Sequence, residues 1–137
     1  MALTHLIDTS VLTRLRAPAV RKAIESMAER REIARAGISD LEIGYSARSA
    51  LEWDQLAEAL GLFELIETTA DHLRRARQVQ RLLAADHQRG RKVPDLLIAA
   101  AAESRDLRVL HYDADFDRIA AVTGQACDWV VPAGTID

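Results

Sequence analysis

The spacing of apolar positions changes several times along the chain, and the changes mark out alternating strands and helices. Leu3 to Ile7 is a short apolar run ending at Asp8, which predicts a buried strand. Thr9 to Arg16 predicts one or two helical turns. Pro18 opens a second helix with Val20, Ile24 and Met27 on one face. Ile33 to Ala36 predicts a strand ended by Gly37. Ser39 opens a third helix with Leu41 and Tyr45, and Leu51 to Leu60 predicts a fourth. Phe63 to Ile66 reads as a strand. Thr69 to about His87 is the longest predicted helix, with Leu73, Ala76, Val79, Leu82 and Leu83 expected toward the core. After a loop at Gly90 to Val93, Pro94 starts a very apolar helix reaching about Ser104. Leu107 to Leu110 predicts a strand, Ala114 to Val122 a helix, and Cys127 to Val131 a last strand before a Pro/Gly tail.

No repeat, low-complexity tract or linker interrupts this pattern, so residues 1–137 are expected to form one domain. Alternating strands and helices imply an α/β architecture, a central mostly parallel β-sheet flanked by helices on both faces. In such sheets ligands bind beyond the carboxyl ends of the strands.

Composition narrows the function. Two Trp, two Tyr and two Phe are too few for a base-stacking platform. The single cysteine, Cys127, excludes an internal disulfide and a Cys-based zinc site. The first residues lack a basic stretch followed by a long apolar run, so no signal peptide is expected. The longest apolar run, Leu96 to Ala102, is too short to span a bilayer. A cytoplasmic setting with no membrane partner is expected. The net charge of −3 does not mark a nucleic-acid binder. The basic residues are nevertheless mostly Arg, 16 of 18, and Arg74, Arg75, Arg77 and Arg81, then Arg89, Arg91 and Lys92, cluster.

The acids carry the candidate chemistry. Asp8 ends the first predicted strand, where Asp also serves as a helix N-cap. Ser39 and Glu42 have the spacing of a capping box. Asp95 enters a buried helix, where it complements the helix dipole. Asp113, Asp115 and Asp117 follow a strand but fail as a calcium loop, because position six is Arg118 and position twelve is Gly124. Several acids at one sheet edge repel one another unless a cation neutralises them. Oxygen ligands without His or Cys suit Mg²⁺ or Mn²⁺, ions that promote phosphodiester cleavage. No glycine-rich phosphate loop and no His-Glu-x-x-His occur, and His5, His72, His87 and His111 are scattered. His5 and His111 read as strand residues.

Four segments together resemble the PIN domain in its short VapC-like form: Leu6 to Leu12, Ser39 to Tyr45, Pro94 to Ala99 and Leu110 to Ala120. The resemblance covers essentially the whole chain. It implies a Mg²⁺- or Mn²⁺-dependent endoribonuclease, the toxin of a VapBC-like toxin–antitoxin pair, which inhibits translation by cleaving RNA. It also implies a homodimer that is neutralised by a VapB-like antitoxin and assembles with it into a larger complex. The catalytic and metal-binding acids carry over as Asp8, Glu42, Asp95 and Asp113, with Asp115 as a further metal ligand and Thr9 as a supporting hydroxyl. His111 stands where many relatives have Thr or Ser. The apolar Trp53, Leu56, Leu60 and Phe63 offer either an antitoxin groove or plain core. Two other readings compete: a non-catalytic PIN-like domain that binds RNA or protein, and an unrelated metal-dependent phosphatase.

Overall fold

The computed structural model describes residues 2–88 and 92–137. Five strands form one sheet: β1 (His5–Ile7), β2 (Ile33–Ala36), β3 (Glu64–Ile66), β4 (Arg108–His111) and β5 (Cys127–Trp129). All pairings are parallel and the order is β3-β2-β1-β4-β5. Seven helices lie between the strands among the described residues: α1 (Thr9–Leu12), α2 (Pro18–Glu29), α3 (Gly37–Gly44), α4 (Ala50–Leu60), α5 (Ala70–Ala85), α6 (Val93–Ser104) and α7 (Asp115–Thr123).

Side chains alternate across a strand, so a sheet covered on both faces buries consecutive residues in two different cores. Leu6 faces one core, with Ala76, Val79 and Leu83 of α5, most of α6, and Phe116 and Ile119 of α7. Its neighbour Ile7 faces the other, with Val11, Val20, Ile24, Leu60 and Phe63. The expected α/β sheet with helices on both faces is what the chain forms.

The chain steps outward from β1 through β2 to β3, then crosses back to β4 on the other side of β1. The strand order therefore reverses between β1 and β4, and the carboxyl ends of these two strands flank a crevice suited to a ligand. The Asp8 N–H donates to the Leu110 carbonyl at 2.8 Å and closes the sheet at this point.

Several local expectations need correction. Helix α3 starts at Gly37, two residues before Ser39, with no side-chain cap at its N-terminus. The capping box of Ser39 and Glu42 does not form, because Ser39 lies inside the first turn, fully buried. Leu73 and Leu82 lie on the outer face of α5, at 53% and 36% exposure. The buried stripe is instead His72, Ala76, Val79 and Leu83, a 4-3-4 spacing that excludes both leucines. His72 joins this stripe because it completes a capping box with Thr69, and its Nε2 lies 3.0 Å from Ser104 Oγ on α6. Leu60 and Phe63 are core residues, whereas Trp53 is 46% exposed. Of the loop expected at 90–93, Gly90 and Arg91 lie outside the described residues, and Val93 already belongs to α6. The Pro/Gly tail is tied down: the Tyr112 hydroxyl donates to the Ile136 carbonyl at 2.9 Å and accepts from the Gly134 N–H at 3.0 Å.

Candidate active site

Asp8, Glu42, Asp95 and Asp113 line one cleft of about 500 Å³ at the carboxyl edge of the sheet. They arrive there from four separate segments. Asp8 follows β1, Glu42 sits on α3 after β2, Asp95 lies in the first turn of α6, and Asp113 follows β4. Parallel strands send their following segments to the same edge, which brings Asp8, Glu42 and Asp113 together, and the start of α6 adds Asp95.

Within the cleft the acids do not share one geometry. Oxygens of Asp95, Asp113 and Asp115 lie within 4.8 Å of one another. Asp8 and Glu42 line the same cleft outside that tight group. Asp115 also stands 3.5 Å from Arg118. Asp117 is directed elsewhere, accepting from the Trp129 indole N–H at 3.2 Å. The first part of the basic cluster is apart from the cleft, with Arg74 pairing with Asp71 and Arg75 with Glu103 of α6, whereas Lys92 lines it. Arg89 and Arg91 lie outside the described residues.

Hydrogen bonds orient part of the set. Asp8 does cap α1, its Oδ2 accepting from the Ser10 N–H at 2.9 Å, but its Oδ1 is buried with no partner. Asp95 Oδ2 is likewise buried and unpartnered. The Thr9 hydroxyl donates to Glu42 Oε1 at 2.6 Å, and Ser39 Oγ lies 2.9 Å from the same Thr9 oxygen. Asp113 Oδ1 accepts from the Asp115 N–H at 2.9 Å, and its Oδ2 accepts from Lys92 Nζ at 3.3 Å.

Burial and neighbouring negative charge disfavour the ionised forms of Asp95 and Asp8. Asp95 is pushed up to about 8, first by desolvation and then by the charges of Asp8 and Asp113. Asp8 is raised as well, by burial foremost, against the lowering effect of its bonds to Ser10. The Asp113 carboxylate raises Lys92 above its usual range. Two like charges about 4 Å apart repel by roughly 4 kcal/mol at an effective dielectric of 20. One nearby lysine does not offset several such pairs.

A hard divalent cation fits this donor set. The cleft is lined with carboxylate and hydroxyl oxygens and, among the described residues, no His or Cys. The orphaned oxygens of Asp8 and Asp95 are the ones a cation would satisfy.

Sequence reasoning missed the support beneath the acids. His111 is fully buried against Phe116 and Trp129, at ring-centroid distances of 5.0 Å each, and its Nδ1 accepts from the Asp113 N–H at 3.2 Å. Burial pushes its pKa down, disfavouring the charged ring. Ser10 Oγ accepts from the Tyr112 N–H at 2.9 Å, tying the segment after β1 to the segment after β4. Lys92 and Arg14 line the cleft as its cations. Lys92 stood in the basic cluster read from the sequence, three residues before Asp95, whereas Arg14 had only its position, six residues after Asp8, as a signal.

The PIN domain profile matches residues 5–122. Ribonuclease VapC51 of Mycobacterium tuberculosis (strain ATCC 25618 / H37Rv) is 66% identical over 137 residues, spanning 100% of both chains. VapBC-5 of Mycobacterium tuberculosis, a member of the VapBC family of toxin-antitoxin systems, superposes with a TM-score of 0.56 at 26% identity, covering 93% of this chain and 95% of that one. DNA-bound VapBC from Salmonella typhimurium shares the fold with a TM-score of 0.77 at 18% identity, over 94% and 99% of the two chains. This chain belongs to the PIN-domain family, in its VapC-like branch.

Proposed function

We propose that this protein is the toxin of a VapBC-like pair, an endoribonuclease that depends on Mg²⁺ or Mn²⁺, blocks translation by cutting RNA and is silenced by a VapB-like antitoxin. One observation carries the metal-dependent reading. Two buried carboxylate oxygens, on Asp8 and Asp95, lack partners in a cleft where Asp95, Asp113 and Asp115 crowd within 4.8 Å. The ribonuclease reading draws support from VapC51, 66% identical along its whole length.

Asp8, Glu42, Asp95 and Asp113 would hold the ion, with Asp115 as a further ligand. When bound, a divalent ion supplies Lewis-acid activation of water and of the phosphodiester. The chain's own residues do the rest. Thr9 fixes the rotamer of Glu42 through its short hydrogen bond. Ser10 and His111 hold the segments that carry Asp8 and Asp113. Lys92 offsets part of the negative charge where a phosphate must approach. Among the described residues the cleft lining gives no thiol or imidazole for covalent catalysis.

The antitoxin reading draws support from the VapBC-5 likeness and from exposed apolar side chains on α3, at its C-cap and on α4. Leu41, Tyr45, Leu51 and Trp53 are 67%, 93%, 69% and 46% exposed, a surface suited to an amphipathic segment. In this reading residues 1–137 are one domain that works as a cytoplasmic homodimer and assembles with the antitoxin into a larger complex.

The test is to incubate the purified protein with a set of structured RNAs, with and without Mg²⁺ or Mn²⁺, and to map the cuts. Discrete cuts that need the ion and vanish when a VapB-like antitoxin is co-expressed are expected. RNA left intact under every metal condition would overturn the enzymatic reading.

A further inference from the structure

One side of the acidic cleft is built from residues the metal reading does not use. Arg14, in the turn after α1, lines the cleft together with Asp137 and Tyr112. Its guanidinium is held from three directions. Nη1 donates to the Ser10 carbonyl at 2.7 Å. The group stacks 5.0 Å from the Tyr112 ring centroid. Nε and Nη2 donate to the Asp137 carboxylate at 3.2 and 3.0 Å. The segment bearing Asp137 is itself clamped on the Tyr112 hydroxyl.

Ser10, whose carbonyl orients Arg14, also donates its N–H to Asp8. The guanidinium is thus fixed relative to the proposed metal site through one residue. Guanidinium groups bind carboxylates and phosphates with the same paired N–H geometry. The Asp137 side chain is 64% exposed and that of Arg14 28%, so this is a rim ion pair, weak and open to exchange.

The geometry points to Arg14 as a binding site for an RNA backbone phosphate flanking the scissile one, with the Asp137 carboxylate occupying that site until RNA displaces it. This rests on the ribonuclease reading for the identity of the ligand. A phosphodiester there would meet a preoriented guanidinium beside the acids, and Asp137 would be released to solvent.

The test compares wild type, Arg14→Gln and Asp137→Asn in two measurements. The first is binding of single-stranded RNA in EDTA across a salt series. The second is the KM for cleavage with Mn²⁺. Removing one phosphate contact lowers the slope of log K against log salt by about 0.7. Arg14→Gln is expected to show that drop and a KM about tenfold higher, the loss of one charge-assisted pair. Asp137→Asn keeps Arg14 and removes its competitor, so RNA should bind about two- to fivefold tighter with the wild-type slope. A melting curve on each variant separates these effects from loss of fold, and Asp137→Asn carries the test alone if Arg14→Gln does not fold. RNA affinity unchanged in Asp137→Asn, or a wild-type salt slope in a folded Arg14→Gln, would overturn the site. So would an effect of both variants confined to antitoxin affinity. If slopes shift as expected while no RNA is cut, the phosphate site stands and the ribonuclease reading falls.

Discussion

Thr9 on α1 donates its hydroxyl hydrogen to Glu42 Oε1 on α3 at 2.6 Å. Because that hydrogen is committed, Ser39 must donate in turn to Thr9 Oγ1, at 2.9 Å. A serine and a glutamate with capping-box spacing are thereby diverted from the helix end to the cleft. Thr9→Val keeps the shape and removes the bond. Groups that orient metal ligands typically matter 10- to 100-fold. The Mn²⁺ midpoint for activity should rise by about that much in Thr9→Val and stay near wild type in Thr9→Ser. Equal midpoints in all three would show that Glu42 needs no such support.

Glu42→Gln tests charge separately from orientation. Glutamine can still accept from Thr9 through its carbonyl oxygen, so folding stability should change by no more than about 0.5 kcal/mol. The charge a hard cation requires is lost, and RNA cleavage should fall at least tenfold, with the 10- to 100-fold range as guide. Wild-type cleavage by a folded Glu42→Gln would reduce Glu42 to a partner of Thr9.

Removing the metal should cost stability. A ligand at 100 times its dissociation constant adds about 2.7 kcal/mol to the folded state. Mn²⁺ or Mg²⁺ should therefore raise the melting temperature by several degrees, EDTA should reverse the rise, and Asp8→Asn combined with Asp95→Asn should abolish most of it. A rise of the same size in the double variant would place the ion elsewhere.

The metal-free protein should lose stability as pH rises. Asp95 has a folded pKa of about 8 against 3.8 for an ordinary aspartate. Between those values the folded state holds a proton that the unfolded state has released. Stability therefore declines from about pH 4 to about pH 8 and levels off above. A tenfold difference in proton affinity between the two states corresponds to roughly 1.4 kcal/mol, so the change is on the order of a few kcal/mol. Asp95→Asn should remove the larger part of this dependence in urea unfolding run in EDTA at pH 5 and pH 9, leaving the smaller part that the raised Asp8 contributes. The same slope in wild type and variant would assign the proton to another group.

Partner docking is testable on α3. Leu41 and Tyr45 are exposed at 67% and 93% and support no core, so Leu41→Asp with Tyr45→Ser should leave the melting temperature within a degree or two. The antitoxin should then fail to co-purify while RNA cleavage persists. An intact complex would move the antitoxin surface away from α3.

The apolar pattern by itself determined the alternation of strands and helices, and with it the α/β class and the sheet edge where a ligand binds. Hydrophobic period is a local property, legible wherever one face of an element is buried, as Leu6 and Ile7 show by entering opposite cores. The acids were legible too, because Asp8, Glu42 and Asp113 each follow a strand and Asp95 opens the apolar helix that leads into β4. What those acids touch was decided only in three dimensions. Ser39 and Glu42 fit a cap on spacing alone, but the packing of α1 against α3 brought Thr9 between them. His111 is the strand residue its sequence context predicts, and only the closure of Phe116 and Trp129 around it made it the support for Asp113. The ion pair of Arg14 with Asp137 spans almost the whole chain, and no local period encodes a contact between segments that meet only after the sheet has formed.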